Sequence, residues 1–167
     1  MFSGIVSHIG GLQKRRISIF TFVAPHSLVR KLRKGTSIAV NGVCVTVVSK
    51  PTQSTFTIEI MPETERRTTF GHMSEQDEVN LELPLSPSTL LSGHIVQGHV
   101  DGVGIIKSIK NDGDAKLLII QVPRNLTKYI VEKGSIAVNG ISLTVVSLHK
   151  NIFSVSITPF TWSHTML

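Results

Sequence analysis

The stretch SIAVNGVCVTVVS, Ser37–Ser49, decides the fold, because it returns about a hundred residues later as SIAVNGISLTVVS, Ser135–Ser147. Only three of the thirteen positions differ. A match this long marks a tandem duplication, and its period lies far above the roughly 20–50 residues of solenoid repeats, so each copy is a small domain. Two of the differences, Val43 to Ile141 and Val45 to Leu143, exchange apolar residues. The third, Cys44 to Ser142, exchanges a thiol for a hydroxyl, and there the copies part chemically.

Working outward, Ile38 and Val40 alternate with smaller or polar neighbours, Asn41-Gly42 offers a type I′ hairpin turn, and Val43, Val45 and Val47 alternate with Cys44 and Thr46. Cys44 and Thr46 therefore share one strand face, as do Ser142 and Thr144. Upstream, apolar residues alternate loosely from Met1 to Phe22, and Gly10-Gly11 suggests a turn between two strands. Leu28 and Leu32 lie four apart between Ser27, a candidate cap, and Gly35, a candidate stop, which predicts a short helix. Downstream, Thr55–Ile60 alternates as a strand, MPETERRTTFG (Met61–Gly71) reads as a polar loop, and Val79–Leu83 as one more strand. Pro84, Ser86, Pro87 and Ser88 form the best linker.

The second copy starts near Val96, where QGHVDGVG repeats the pattern of SGIVSHIG with Gly98 opposite Gly4. Its strands, a short helix from Pro123 to Lys133-Gly134 and the Asn139-Gly140 hairpin follow in the same order. TPFTWSHTML (Thr158–Leu167) stands opposite Met61–Phe70, and nothing answers Gly71–Leu83, so a closing strand of the second copy is expected to be missing. The domains are expected at 1–94 and 95–167. Short strands with frequent turn signals predict an all-β protein of two tandem antiparallel barrels, the second with an open edge.

The chain has 167 residues, 41% apolar and 17% charged, which excludes disorder, and no apolar run suits a spanning helix. No secretory signal is legible at Met1–Gly10, and one cysteine excludes an intrachain disulfide, so a cytoplasmic protein without a membrane partner is expected. The net charge of +6 collects in Lys14-Arg15-Arg16 and Arg30–Lys34, but the seven Phe, one Trp and one Tyr are not interleaved with those clusters as base-stacking platforms. A solvated basic surface, not a nucleic-acid interface, is the better reading.

Few residues could carry chemistry. Cys44 is either a small buried hydrophobe or a nucleophile lining a ligand site; its exchange for Ser142 weighs toward the site, since a ligand-facing wall tolerates both groups and a core does not. His94 and His99 have no metal-ligand spacing, and no metal is expected. His99 follows Gly98, where backbone can approach a ligand, and is a candidate acid–base group. Lys133 lies before Gly134 as Lys34 does before Gly35, where offsetting a helix dipole is the simpler role.

With these pieces placed, the sequence resembles the riboflavin synthases of the α-chain type, built from two lumazine-binding barrels of Greek-key form. The resemblance rests on MFSGIV, SIAVNGVCVTV, MPETERRT, SGHIVQGHVDGVG and GISLTV, in the family's order and spacing. It implies dismutation of two 6,7-dimethyl-8-ribityllumazine molecules to riboflavin and 5-amino-6-ribitylaminouracil, with no metal or organic cofactor. It implies substrate contacts from Gly4, Ile5, Val6, Gly98, His99 and Val100, from Cys44, Val45, Thr46, Ser142, Leu143 and Thr144, and from Glu63, Thr64, Lys133, Thr158 and Thr161. Cys44, Ser142 and His99 are the candidates for covalent or proton-transfer steps. It further implies a working site between neighbouring subunits of a homotrimer, although the family's last strand and subunit-gathering helix have no counterpart in these residues. Asn139 and Phe160 depart from the family, which commonly has an aspartate at the first position and a glutamate or histidine at the second. A non-catalytic lumazine- or flavin-binding protein on the same duplicated fold is the second reading.

Overall fold

The computed structural model describes residues 1–167. The first copy contributes β1 (His8–Arg16), β2 (Ile19–Val23), β3 (Ser37–Val40), β4 (Val43–Thr46), β5 (Thr55–Glu59) and β6 (Glu78–Glu82). All pair antiparallel in the Greek-key order β4-β3-β6-β1-β2-β5, and the sheet closes on itself where Val47 bridges Ile58 and Val48 N–H donates to Thr57 O. The repeated stretch folds as read: β3 and β4 pair Ser37 with Thr46 through Val40 with Val43. Asn41 (φ 49°) and Gly42 (φ 81°) supply the two positive angles that a type I′ turn demands.

The second copy builds β7 (Ile105–Asp112), β8 (Ala115–Gln121), β9 (Ser135–Val138), β10 (Ile141–His149) and β11 (Ile152–Ile157), in the order β7-β8-β11-β10-β9. In the first barrel β6 sits between β1 and β3; between their counterparts β7 and β9 there is no strand. The consequence shows in the cores. Nineteen buried apolar residues fill the first barrel, including Val79 and Leu81 from β6, against nine in the second. Phe20, Phe22, Phe56 and Phe70 anchor the first core, with Phe20 and Phe70 edge to face at 5.3 Å.

Several expectations need correction. Gly10-Gly11 makes no turn: β1 runs through both, and the reversal falls at Ile17-Ser18. The glycine is needed for closeness, since a Cβ at Gly10 would stand 2.7 Å from both Leu81 Cδ1 and Val23 O. The helix near Leu28 is shorter than predicted, α1 being only His26–Val29, and Ser27 does not cap it; its hydroxyl meets His8 Nε2 at 3.1 Å. The supposed polar loop after β5 is a helix, α2 (Pro62–Arg67), followed by a 3-10 helix, Thr69–His72, that buries Phe70. The second copy answers with α3 (Pro159–His164). Its other predicted helix is a 3-10 helix confined to Arg124–Tyr129. Lys133 consequently ends no helix. It takes φ 63°, and its N–H donates to Val145 O as the N–H of Gly35 does to Val47 O, so Lys133 answers Gly35, not Lys34. No helix is long and apolar enough to cross a membrane.

The two copies meet turn to turn. A Cβ at Gly42 would lie 2.7 Å from Gly140 N, so the Asn-Gly tips touch. Asn80 of β6, 2% exposed, fastens the contact: its Nδ2 donates to Asn139 O and Met166 O, and its Oδ1 accepts from Met166 N–H at 2.7 Å. The first basic cluster is partly structural, because Arg15 pairs with Glu65 at 2.5 Å, donates to Gly71 O and Met73 O and lies over Phe20.

Candidate active site

Two short arms precede the barrels, and each serves the other copy. They pair at Phe2 and Val96, whose N–H groups donate reciprocally at 2.7 and 2.9 Å, and then diverge. The arm beginning at Gly98 crosses to the first barrel: Cys44 N–H donates to Gly98 O at 2.9 Å, and Val100 packs on the first core. The arm beginning at Gly4 crosses to the second: Ser142 N–H donates to Gly4 O at 2.7 Å, and Val6 packs on the second core. Gly98 (φ +85°) and Gly4 (φ +75°) are required twice over. A Cβ would lie 2.5 Å from Cys44 Cβ in one case and 2.8 Å from Ser142 Cβ in the other.

The exchange places Cys44 and His99 in one cleft of about 430 Å³. Its floor is Val43 and Cys44 of β4, one wall is Glu63, Thr64, Arg67 and Thr68 of α2 and its end, and a second is the arm Gly98–Asp101. The fourth side is the 3-10 helix of the second copy, with Asn125, Leu126, Lys128 and Tyr129. Cys44 is half-buried and is the only cysteine, a free thiol. Glu63 holds both Arg66 and Arg67, each at 2.8 Å. Hydrogen bonds from Arg67 and then Arg66 keep its carboxyl below the ordinary carboxylate range, and Glu63 in turn raises the Arg67 guanidinium.

At the equivalent place in the second copy, Ser142 occupies the position of Cys44 and Ile5 that of His99. The Ser142 hydroxyl is engaged by His94, Nδ1 to Oγ 2.7 Å, and Gly93 lies so near that a Cβ there would stand 3.0 Å from Ser142 Cβ. The two histidines thus serve different copies, His99 beside Cys44 and His94 beside Ser142. Thr158 caps α3, its Oγ1 accepting from Thr161 N–H, and Thr161 sits opposite Thr64 in the repeat.

The remaining sequence-predicted residues are placed differently. Val45 and Leu143 point into the two cores, which leaves only their backbone on the site side. Thr46 and Thr144 are exposed on the faces of Cys44 and Ser142, pairing with Ser37 and Ser135 across their hairpins. Lys133 is exposed in its turn and does not line the Cys44 cleft. Sequence reasoning missed Arg67, which lies on the helix α2 that was read as a loop, and Asp101, Asn125, Lys128 and Tyr129, which come to the cleft only through the crossing of the copies. It also missed Glu82, 7% exposed, which accepts from Ser3 N–H at 2.6 Å, Ser3 Oγ at 2.7 Å and Gly4 N–H at 3.1 Å, and so holds the first arm in place. An acidic residue at the end of an apolar strand was the available signal.

Paired barrels that each lend a glycine-led arm to the other copy, with a cleft at Cys44 where the copies cross, define a duplicated β-barrel protein. A family model of the lumazine binding domain matches twice, over residues 3–84 and 97–167. The riboflavin synthase of Photobacterium leiognathi is 40% identical over 171 residues, spanning 100% of this chain and 78% of that protein. The riboflavin synthase of Mycobacterium tuberculosis (strain ATCC 25618 / H37Rv) is 39% identical over 100% of this chain and 86% of its own length. That of Bacillus subtilis (strain 168) is 34% identical over 99% and 78%. Among solved structures, LumP complexed with 6,7-dimethyl-8-(1'-D-ribityl) lumazine superposes with a TM-score of 0.87 at 24% identity, over 99% of this chain and 90% of that one. LumP complexed with riboflavin gives 0.86 at 26%, over 99% and 91%. The chain belongs to the lumazine-binding family of the riboflavin synthases.

Proposed function

We propose that this protein is a riboflavin synthase, converting two molecules of 6,7-dimethyl-8-ribityllumazine into riboflavin and 5-amino-6-ribitylaminouracil. The observation that carries the reading is a contrast on a shared scaffold: the Cys44 thiol with His99 from the crossing arm in one copy, and the Ser142 hydroxyl with Ile5 at the matching arm position and His94 as its hydrogen-bond partner in the other. A dismutation needs this kind of inequality, because chemically identical substrates take opposite roles. One lumazine loses a proton from its C7 methyl group, whose anion delocalises into the ring; the other is attacked at its electrophilic C7 and gives up a four-carbon unit. We assign Cys44, His99 and Ser142 as the groups that add to a ring carbon or move the proton. Holding two flat rings in register contributes much of the rate, since effective molarities of well-oriented partners are large. The rings meet where the first copy of one molecule faces the second copy of another, the arrangement that the resemblance implies.

A second reading, a non-catalytic lumazine- or flavin-binding protein, is favoured by the superposition on LumP. One assay separates the two. Incubation with ribityllumazine in the presence of chelator is expected to generate riboflavin fluorescence over many turnovers without added metal or cofactor. Stoichiometric binding without riboflavin would select the binding protein, and a requirement for metal would contradict the proposed chemistry.

A further inference from the structure

Helices α2 and α3 stand at equivalent places in the repeat and carry the same pair of positions four residues apart, filled with opposite chemistry. In α2 the pair is Glu63 and Arg67, joined Oε1 to Nε at 2.8 Å, and both side chains line the Cys44 cleft. In α3 it is Phe160 and His164, whose rings stack at 4.1 Å between centroids and 17° between planes. Phe160 is 71% exposed although it is a large apolar side chain, and it contributes to neither core. The opposite side of α3 is occupied: Trp162 packs on the second core, with Lys116 Nζ 5.8 Å from its ring centre. Phe160 and His164 are therefore presented where Glu63 and Arg67 are presented in the first copy, which is toward the ligand site. Thr161 and Thr165 repeat Thr64 and Thr68 around them.

We infer that Phe160, stacked on His164, is a specificity-determining residue of the Ser142 site, an aromatic platform against which the face of a planar heterocycle lies, where the Cys44 site has an ion-paired wall. The inference rests on the proposed binding of ribityllumazine. An aromatic face favours any flat π-system and is tolerant of its substituents, whereas the wall of Glu63 and Arg67 offers hydrogen-bond partners to a polyhydroxylated chain. The two sites accordingly select different parts of one ligand: the Ser142 site grips the ring, and the Cys44 site the ring edge and its side chain. That Phe160 is held by a neighbour four residues on matters, because the ring is preordered before any ligand arrives.

The test uses calorimetric titration of the full chain with ribityllumazine, with emission of Trp162, the only tryptophan, as a local reporter on α3. Two binding events per chain are expected for the wild type. Phe160→Leu, which keeps the bulk and loses the π-face, is expected to weaken one event about tenfold or more and leave the other unchanged. Phe160→Trp is expected to keep both within about twofold. The double change Phe160→Glu with His164→Arg, which transplants the ion pair of the first copy and keeps α3 stapled, is expected to behave like Phe160→Leu. Equal affinity of wild type and Phe160→Leu at both sites overturns the inference while leaving the proposed ligand intact. So does a loss in Phe160→Trp as large as in Phe160→Leu, which would mark a packing role. Absence of any binding by the wild type overturns the proposed function, and this inference with it.

Discussion

Cys44 and Ser142 hold the same place in two barrels, each donating its N–H to the carbonyl of a crossing glycine, yet the thiol lines an open cleft with His99 while the hydroxyl is engaged by His94. If that thiol takes part in the chemistry, Cys44→Ser removes the one side-chain difference in β4 that distinguishes nucleophile strength, and leaves the shape of the floor. Turnover is expected to fall more than about tenfold, on the order of 1.4 kcal/mol of barrier, with little change in lumazine affinity. Wild-type turnover in the variant would return Cys44 to a packing role. Glu63 offers a separate residue-scale check. Its carboxyl is held below the ordinary range by Arg67 and Arg66, so the folded protein binds the proton less readily than the unfolded chain. The contribution is fully present above the ordinary carboxylate pKa and is lost as pH falls through the lowered value of the folded state. An NMR titration of the Glu63 carboxyl is expected to give a midpoint below the usual one, and Arg67→Ala is expected to move it back up.

At the scale of elements, the crossing arms impose a tight steric requirement at Gly98 and Gly4. Gly98→Ala forces a positive φ on a residue with a Cβ and sets that Cβ 2.5 Å from Cys44 Cβ and 2.8 Å from Cys44 N, both parts of a strand that cannot retreat without opening the hairpin. A loss of about 2 kcal/mol or more in denaturant unfolding is expected, together with loss of lumazine affinity at the Cys44 site. Gly35→Ala, at φ +88° with nothing within 4 Å, is the control: its backbone is strained alike but meets no neighbour, and a smaller loss is expected. What the sequence disclosed at this scale follows from what periodicity reports. The Asn-Gly hairpins were legible because turn chemistry is local, and the alternation around them because one face of each strand is buried. Gly10-Gly11 misled because a glycine serving close strand packing looks the same in sequence as one serving a turn. Helix α2 was missed because none of its residues is buried, so it carries no apolar stripe. The pairing of Gly98 with Cys44 was not legible, since alternation says which face a residue takes and not which copy lies opposite.

For the whole molecule, duplication supplies the scaffold and inequality supplies the scope for function: one closed barrel with a core of nineteen buried apolar residues, one five-stranded sheet with nine. The tandem design was visible in the repeat, and so was the absence of a counterpart to β6. The energetic result follows from the edges. β7 and β9 each leave one side of the backbone unpaired, and on β7 Ile105, Ile106 and Ile109 are 64%, 42% and 47% exposed. An unpaired edge with exposed β-branched residues is a template for another strand, and nothing on β7 from Ile105 to Ile109 except Lys107 opposes such pairing by charge. These 167 residues are therefore expected to associate through the second sheet, with a sedimentation coefficient that rises with concentration across the micromolar range. Ile109→Lys, a charge set on the edge strand and outside both cores, is expected to shift the species toward monomer without loss of secondary structure. Hydrogen exchange gives the same edges a second readout: β7 and β9 are expected to exchange faster than β1, β3 and β6 in dilute solution and to slow as association proceeds. A monomer at every concentration, with β7 and β9 protected as strongly as the first barrel, would show that the open sheet is sealed by its own twist and needs no partner.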